Sequence, residues 1–169
     1  VDTSDLYHAG IPAALGSILV GEHEDGDVTK STSKTAWSTE LELVGAGGEA
    51  VDLKRTLLSH GFVELPPMRL EEDIPALEVT LSANGRSART VEIRPGKQGR
   101  ARVTLLGRPP SARAAEKLVT RIRHVLGLDK DLSEFYALAA DDPDLYWATA
   151  GAGRMVRSPT VFEDVVKTI

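Results

Sequence analysis

The sequence predicts an α+β fold: an antiparallel sheet covered by helices on one face, followed by the first helices of a truncated all-α domain. Three observations predict it. Between residues 77 and 105 three apolar–polar alternations follow one another, with turn chemistry between them. A helical apolar stripe follows directly over 111–126. After Gly127 the pattern changes to short helical segments with no further strand.

Residues 1–38 form an acidic, weakly patterned lead, and Gly, Ser, Thr, Asp and Glu dominate 21–38, a composition of flexible chain. From Thr39 to Val44, Leu41 and Leu43 alternate with Glu40 and Glu42, which predicts a strand that Gly45-Ala46-Gly47-Gly48 breaks. Asp52 is placed to cap a short helix through Leu58, with Leu53 and Leu57 on one face and Gly61 as its stop. The sheet signal then opens with Leu77, Val79 and Leu81 alternating with Glu78 and Thr80. Asn84-Gly85 favours a tight hairpin because both residues tolerate positive φ. Arg89, Val91 and Ile93 then alternate with Thr90, Glu92 and Arg94, Pro95-Gly96 turns the chain, and Ala101, Val103 and Leu105 alternate with Arg100, Arg102 and Thr104. Three antiparallel strands with one apolar face need a cover, and Ala115, Leu118, Ile122 and Val125 supply it on one helix. Residues 39–126 thus read as a sheet-plus-helix domain.

Residues 127–169 read as the start of a helical domain. Leu132, Phe135, Tyr136 and Trp147 are expected to pack as core aromatic and aliphatic groups around two short helices, with Tyr146 exposed. Ser158-Pro159 reads as a helix start, the hydroxyl capping and the proline at the first position. Phe162, Val165, Val166 and Ile169 then recur at i, i+3, i+4 and i+7 with no glycine or proline to close the helix. An apolar helix face without a terminator predicts more protein after it. The chain also begins at Val1 rather than methionine.

Hydrophobic content of 41% and charged content of 27% are those of a globular domain. Absence of cysteine excludes disulfides and thiolate metal sites and fits a reducing, cytoplasmic compartment. No apolar run reaches the length of a membrane span, so no membrane partner is expected. The net charge of −5 hides a segregation. Residues 1–45 carry eight acids against two lysines, whereas 86–123 carry eleven bases against Glu92 and Glu116.

Glycine, two arginines, a Ser-Pro step and a Phe-Glu helix over 151–169 resemble the approach to the catalytic domain of helix-hairpin-helix (HhH-GPD) DNA glycosylases, in particular the 8-oxoguanine and 3-methyladenine II groups. Residues 127–136 with Asp141-Asp142-Pro143 are similar to the two short helices before that approach, and 51–62 to the opening of the family's N-terminal sheet domain. The resemblance implies base-excision repair: a damaged base flipped from duplex DNA and its N-glycosidic bond cleaved. It also implies that the hairpin, the catalytic aspartate and any lysine nucleophile or iron–sulfur ligands lie beyond Ile169. No catalytic residue is therefore assigned in this chain, no metal or cofactor is expected, and the chain alone is expected to be an inactive, monomeric piece of an active parent. The relatives follow the glycine with Gln-x-Phe-x-Trp; here Phe62-Val63-Glu64-Leu65-Pro66-Pro67 departs from that pattern and leaves the lesion open.

Candidate contacts follow. Arg94, Arg100 and Arg102 should project from the polar sheet face, where they meet DNA phosphates or simply a solvated face. Arg154, Arg157 and Ser158 precede the last helix, where guanidinium groups and free amides hold a phosphate or, alternatively, cap and pair locally. The resemblance places Gly61 and Phe62 at the border of the damaged-base pocket; the other reading is a turn glycine with Phe62 in the core. The four histidines show no ligand spacing. The alternative function is a non-enzymatic α+β module that binds nucleic acid or an acidic partner through a basic sheet face.

Overall fold

A computed structural model describes residues 37–59, 65–66, 68–71, 75–82 and 87–168. The acidic lead through residue 36, the Asn84-Gly85 hairpin, Gly61, Phe62 and Ile169 lie outside the described residues.

Five strands form one antiparallel sheet: β1 (Trp37–Glu42), β2 (Met68–Glu71), β3 (Ala76–Ser82), β4 (Ala88–Pro95) and β5 (Arg100–Leu105), in the order β1-β5-β4-β3-β2. The alternation fixes the register. Val79 faces Val91 and Ile93 faces Val103 across neighbouring strands, so each apolar row continues the last. The first strand returns to the far edge and pairs with the last, Leu41 opposite Ala101 and Glu42 opposite Arg100. The short edge strand β2 was not foreseen. Met68 and Leu70 give only two apolar positions after Pro66-Pro67, too brief an alternation to read, and its pairing with β3 makes it a strand.

The helices are α1 (Leu53–Leu57), α2 (Ala112–Val125), α3 (Ser133–Asp141) and α4 (Val161–Thr168), with a 3₁₀ turn at Tyr146–Ala150. Asp52 caps α1 by accepting from the Arg55 amide at 3.0 Å. Ser111 caps α2, accepting from Ala114 N at 3.4 Å, and Gly127 leaves the helix at φ 67°, where a side chain is strained. The stripe of α2 that covers the sheet is Ala114, Leu118, Ile122 and Val125; it begins at Ala114 and not at the expected Ala115, which is half-buried. With Leu77, Val79, Leu81, Val91, Ile93, Val103 and Leu105 these side chains close a continuous core. Each fully buried aliphatic side chain contributes roughly 1.5–3 kcal/mol.

Two expectations for the helical segment are corrected. Trp147 is 59% exposed and Phe135 36% exposed, so neither is a core aromatic. The 3₁₀ turn buries Ala148 and α3 buries Ala139, and small residues at those positions let the turns approach while the aromatic rings stay outside. Tyr146 is exposed, as expected. The cap of α4 is Thr160, not Ser158: its hydroxyl accepts from Glu163 N at 3.2 Å and its carbonyl from Asp164 N at 3.2 Å. Pro159 therefore precedes the cap instead of opening the helix. Phe162, Val165 and Val166 on α4 are 76%, 51% and 56% exposed.

Candidate functional site

The outer face of the sheet is where sequence placed Arg94, Arg100 and Arg102. The pleat does turn them outward, but the register deals each one an acid or a crowded neighbour. Arg100 bonds Glu40 at 3.3 Å and Glu42 at 3.1 Å on β1, and Arg94 bonds Glu92 at 2.8 Å on its own strand. Arg102 lies opposite Glu40 on one side and Arg94 on the other, exposed and with no ion pair among the described residues. With Arg69 opposite Glu78 and Glu78 opposite Glu92, the face interleaves four arginines (69, 94, 100, 102) with four glutamates (40, 42, 78, 92). This face is charge-compensated rather than basic.

The second cluster is a seam that joins the sheet to the helical segment. The 45–49 loop is closed by a bridge between Val44 and Ala50 and by Gly45 N donating to Glu49 O at 2.9 Å. The loop points Glu49 inward. Arg154 enters from the other side with its side chain 1% exposed, donating to Glu49 Oε1, to Gly127 O and, at 3.0 Å, to Lys130 O. Glu49 Oε1 also accepts from Leu132 N at 2.8 Å. Burial pushes the Glu49 carboxyl up, but its backbone hydrogen bonds, one from Leu132, and the Arg154 guanidinium outweigh that and hold it below the ordinary value. Glycines line the close approaches here. A Cβ on Gly45 would run into the Arg154 guanidinium, and one on Gly47 into Asp131. Gly151, at φ 91°, passes 2.6 Å (to an added Cβ) from Asp52 N, which donates to Gly151 O at 3.0 Å.

A third cluster sits at the end of α2. Arg157 pairs with Asp129, donates through Nε to His124 O at 3.0 Å, and its amide donates to Val125 O at 2.8 Å. His124 Nδ1 stands 3.0 Å from Asp129 Oδ2 and 3.1 Å from Arg157 Nη2. One ring nitrogen makes one of these bonds at a time, and beside a carboxylate the Nδ1–H donor goes to Asp129. Burial raises Asp129, but the His124 hydrogen bond and the Arg157 charge win and hold its pKa below the ordinary value. Ser158 is 5% exposed, and its hydroxyl accepts from Lys167 Nζ at 3.3 Å.

The structure therefore uses Arg154 and Arg157 as ties between segments, each in its own cluster and not as a free phosphate cradle, while the three sheet arginines lie on the outer face of the sheet. Glu49 and Asp129 stay ionised near neutral pH. Glu49 Oε1 is committed to Arg154 and Leu132 N, Glu49 Oε2 is buried without a hydrogen-bond partner among the described residues, and Asp129 is committed to Arg157 and His124, an arrangement that suits holding and not proton transfer. Open cavities of about 320 Å³ and 370 Å³ flank the 153–158 segment and share Met155, Val156 and Arg157 in their walls. Glu49 was missed from sequence, because only the folded loop shows that a lone glutamate after Gly-Gly points inward. Among the described residues no cluster of three His, Asp or Glu could hold a metal, and no helix is long and apolar enough to cross a membrane.

No family model matches the chain, and no curated protein matches it. Among solved structures the chain is similar to 3-methyladenine DNA-glycosylase from Archaeoglobus fulgidus, with a TM-score of 0.54 and 23% identity over 78% of this chain. The chain spans 42% of the length of that protein. At this identity the likeness is one of fold alone, the α+β arrangement.

Proposed function

We propose that this chain is the sheet domain and first catalytic-domain helices of a base-excision DNA glycosylase of the helix-hairpin-helix class. The parent flips a damaged base from duplex DNA and cleaves its N-glycosidic bond. The observation that carries the reading is the fold likeness to a 3-methyladenine DNA-glycosylase over most of the chain but under half of that protein. The exposed row Phe162, Val165 and Val166 on α4 agrees with a helix that continues into a larger apolar interior. In this reading 37–168 is scaffold: the Arg154–Glu49 seam and the Arg157–Asp129 pair set the direction in which α4 leaves the sheet domain. Of the three sheet arginines singled out from the sequence, Arg102 has no ion pair among the described residues and is the one left to meet a phosphate; Arg94 and Arg100 must first leave their glutamates.

The alternative, a binding module with a basic sheet face, loses its main feature to the four interleaved glutamates. Base release from duplexes carrying 3-methyladenine or 8-oxoguanine tests the first reading. Protein made from the complete reading frame should release one of them, and residues 1–169 alone should release neither. A complete product that releases no damaged base, or release by residues 1–169 alone, overturns it.

A further inference from the structure

The bases that the sheet does not neutralise lie on α2. From 106 to 123 the chain carries Arg108, Arg113, Lys117, Arg121 and Arg123 against a single acid, Glu116. Arg123 turns to the carbonyls of Val44 and Leu128, both at 3.3 Å. Arg113, Lys117 and Arg121 instead recur at i, i+4 and i+8, a stripe beside the buried row of Ala114, Leu118 and Ile122. Arg113 and Lys117 are exposed and Arg121 half-exposed, and none of the three has an ion pair among the described residues. Arg108, also exposed, precedes them, and its carbonyl accepts from Arg89 Nη1 at 3.2 Å, which brings another guanidinium beside it.

This arrangement works against the helix. Like charges at i, i+4 destabilise an isolated helix by about 0.2–0.5 kcal/mol per pair, and α2 holds two such pairs in series. Packing does not need them, since the core is closed by the neighbouring stripe. A row of cations about 6 Å apart along one helix matches a partner with regularly repeated single negative charges, a description that fits a nucleic-acid backbone.

We infer that the Arg113–Lys117–Arg121 stripe of α2, with Arg108 before it, binds the phosphate backbone of duplex DNA without reading sequence. This rests on the proposed reading only in the choice of DNA as the polyanion; the surface contains no reacting group. It is a contact surface separate from the sheet face and from the seam around Arg154.

Fluorescence anisotropy of the full 169-residue chain with a labelled undamaged duplex, across a salt series, is the test. Wild type should bind with affinity falling as salt rises. R113E/K117E should weaken binding about tenfold or more at low salt, and the milder R113Q/K117Q should lower the salt slope by about two. K54E/K97E changes the net charge by the same amount at exposed lysines on α1 and in the β4–β5 turn, and should stay within about twofold of wild type. Equal losses in both double-Glu variants, no loss in either α2 variant, or binding of wild type to vesicles containing phosphatidylserine but not to the duplex would each overturn the stripe. Base release by the complete protein is read separately. Release without duplex affinity on α2 removes this inference and leaves the glycosylase reading; stripe-dependent binding without release does the reverse.

Discussion

Arg154 and Lys117 belong to the same class of residue in the sequence, and the fold uses them in opposite ways. Arg154 is buried against a carboxylate and two carbonyls that come from two separate segments, the 45–49 loop and the 127–130 turn, whereas Lys117 stands on a helix with cations one turn above and below. The difference teaches that a cation enclosed by fixed acceptors is part of the architecture and one left unpaired is available to a partner. Counting bases along the chain cannot separate the two; strand register and loop closure do.

The comparison is most directly broken at Arg154. Arg154→Ala leaves Glu49 buried without its cation, and loss of one member of a buried pair costs about 3–5 kcal/mol. Urea unfolding should show that loss, and a value under about 1 kcal/mol would place Arg154 with the surface charges. The effect carries a pH signature. Glu49 and Asp129 have depressed folded pKa values, so their contribution is complete above the unfolded carboxylate pKa and is lost as pH falls through the folded value. Wild-type stability should therefore fall on the acid side of the ordinary carboxylate range. The gap between wild type and Arg154→Ala should narrow over the same interval, because removing the cation raises the Glu49 pKa relative to wild type. A gap constant with pH would show that the charge pair is not what Arg154 supplies.

Gly151→Ala attacks the same seam through the backbone. The residue sits at φ 91°, and an added methyl meets Asp52 N at 2.6 Å. A cost of about 2 kcal/mol is expected from the left-handed conformation alone, more if the Asp52–Gly151 hydrogen bond breaks. Thermal melting monitored by circular dichroism would check it, with Gly99→Ala as reference: that position has positive φ but open space. Equal losses at both sites would mean that conformation, not the close approach, sets the requirement.

Much of this was legible in the sequence. The alternation of 77–105, the Asp52 cap and the helix of 111–126 that ends at Gly127 follow from local chemistry, and the structure repeats them. What was not legible depends on partners distant in the chain. The two apolar positions of β2 acquire meaning only against β3, and the compensation of Arg100 only when β1 returns to β5. Ser158 illustrates the same limit at short range. Ser-Pro is a sound start signal, yet two residues later Thr160 with Glu163 at its third helical position makes the better cap, and the hydroxyl of Ser158 goes to Lys167 instead. Thr160→Ala should accordingly cost α4 about 1 kcal/mol, read as lost helicity of the last segment by amide exchange, whereas Ser158→Ala should leave the α4 amides unchanged.

The smallest expected effect sharpens the comparison most. Arg113→Ala combined with Lys117→Ala removes two charges that have no ion pair among the described residues and replaces them with the strongest helix former. Stability should stay within about 0.5 kcal/mol of wild type, with a shift toward stabilisation because the repulsion along α2 is relieved. Arg100→Ala gives the intermediate case: its two glutamate bonds are on an exposed face, and exposed pairs of this kind contribute about 0.2–1 kcal/mol. Urea midpoints for the three variants should therefore rank the α2 pair at or above wild type, Arg100→Ala slightly below and Arg154→Ala far below. Duplex affinity should rank differently, with the α2 pair the most impaired among those variants that remain folded. A residue that matters to binding while its removal leaves the fold unharmed is a residue kept for a partner. If the α2 pair instead lost stability in proportion to affinity, the stripe would be part of the architecture after all, and the distinction between Arg154 and Lys117 would collapse.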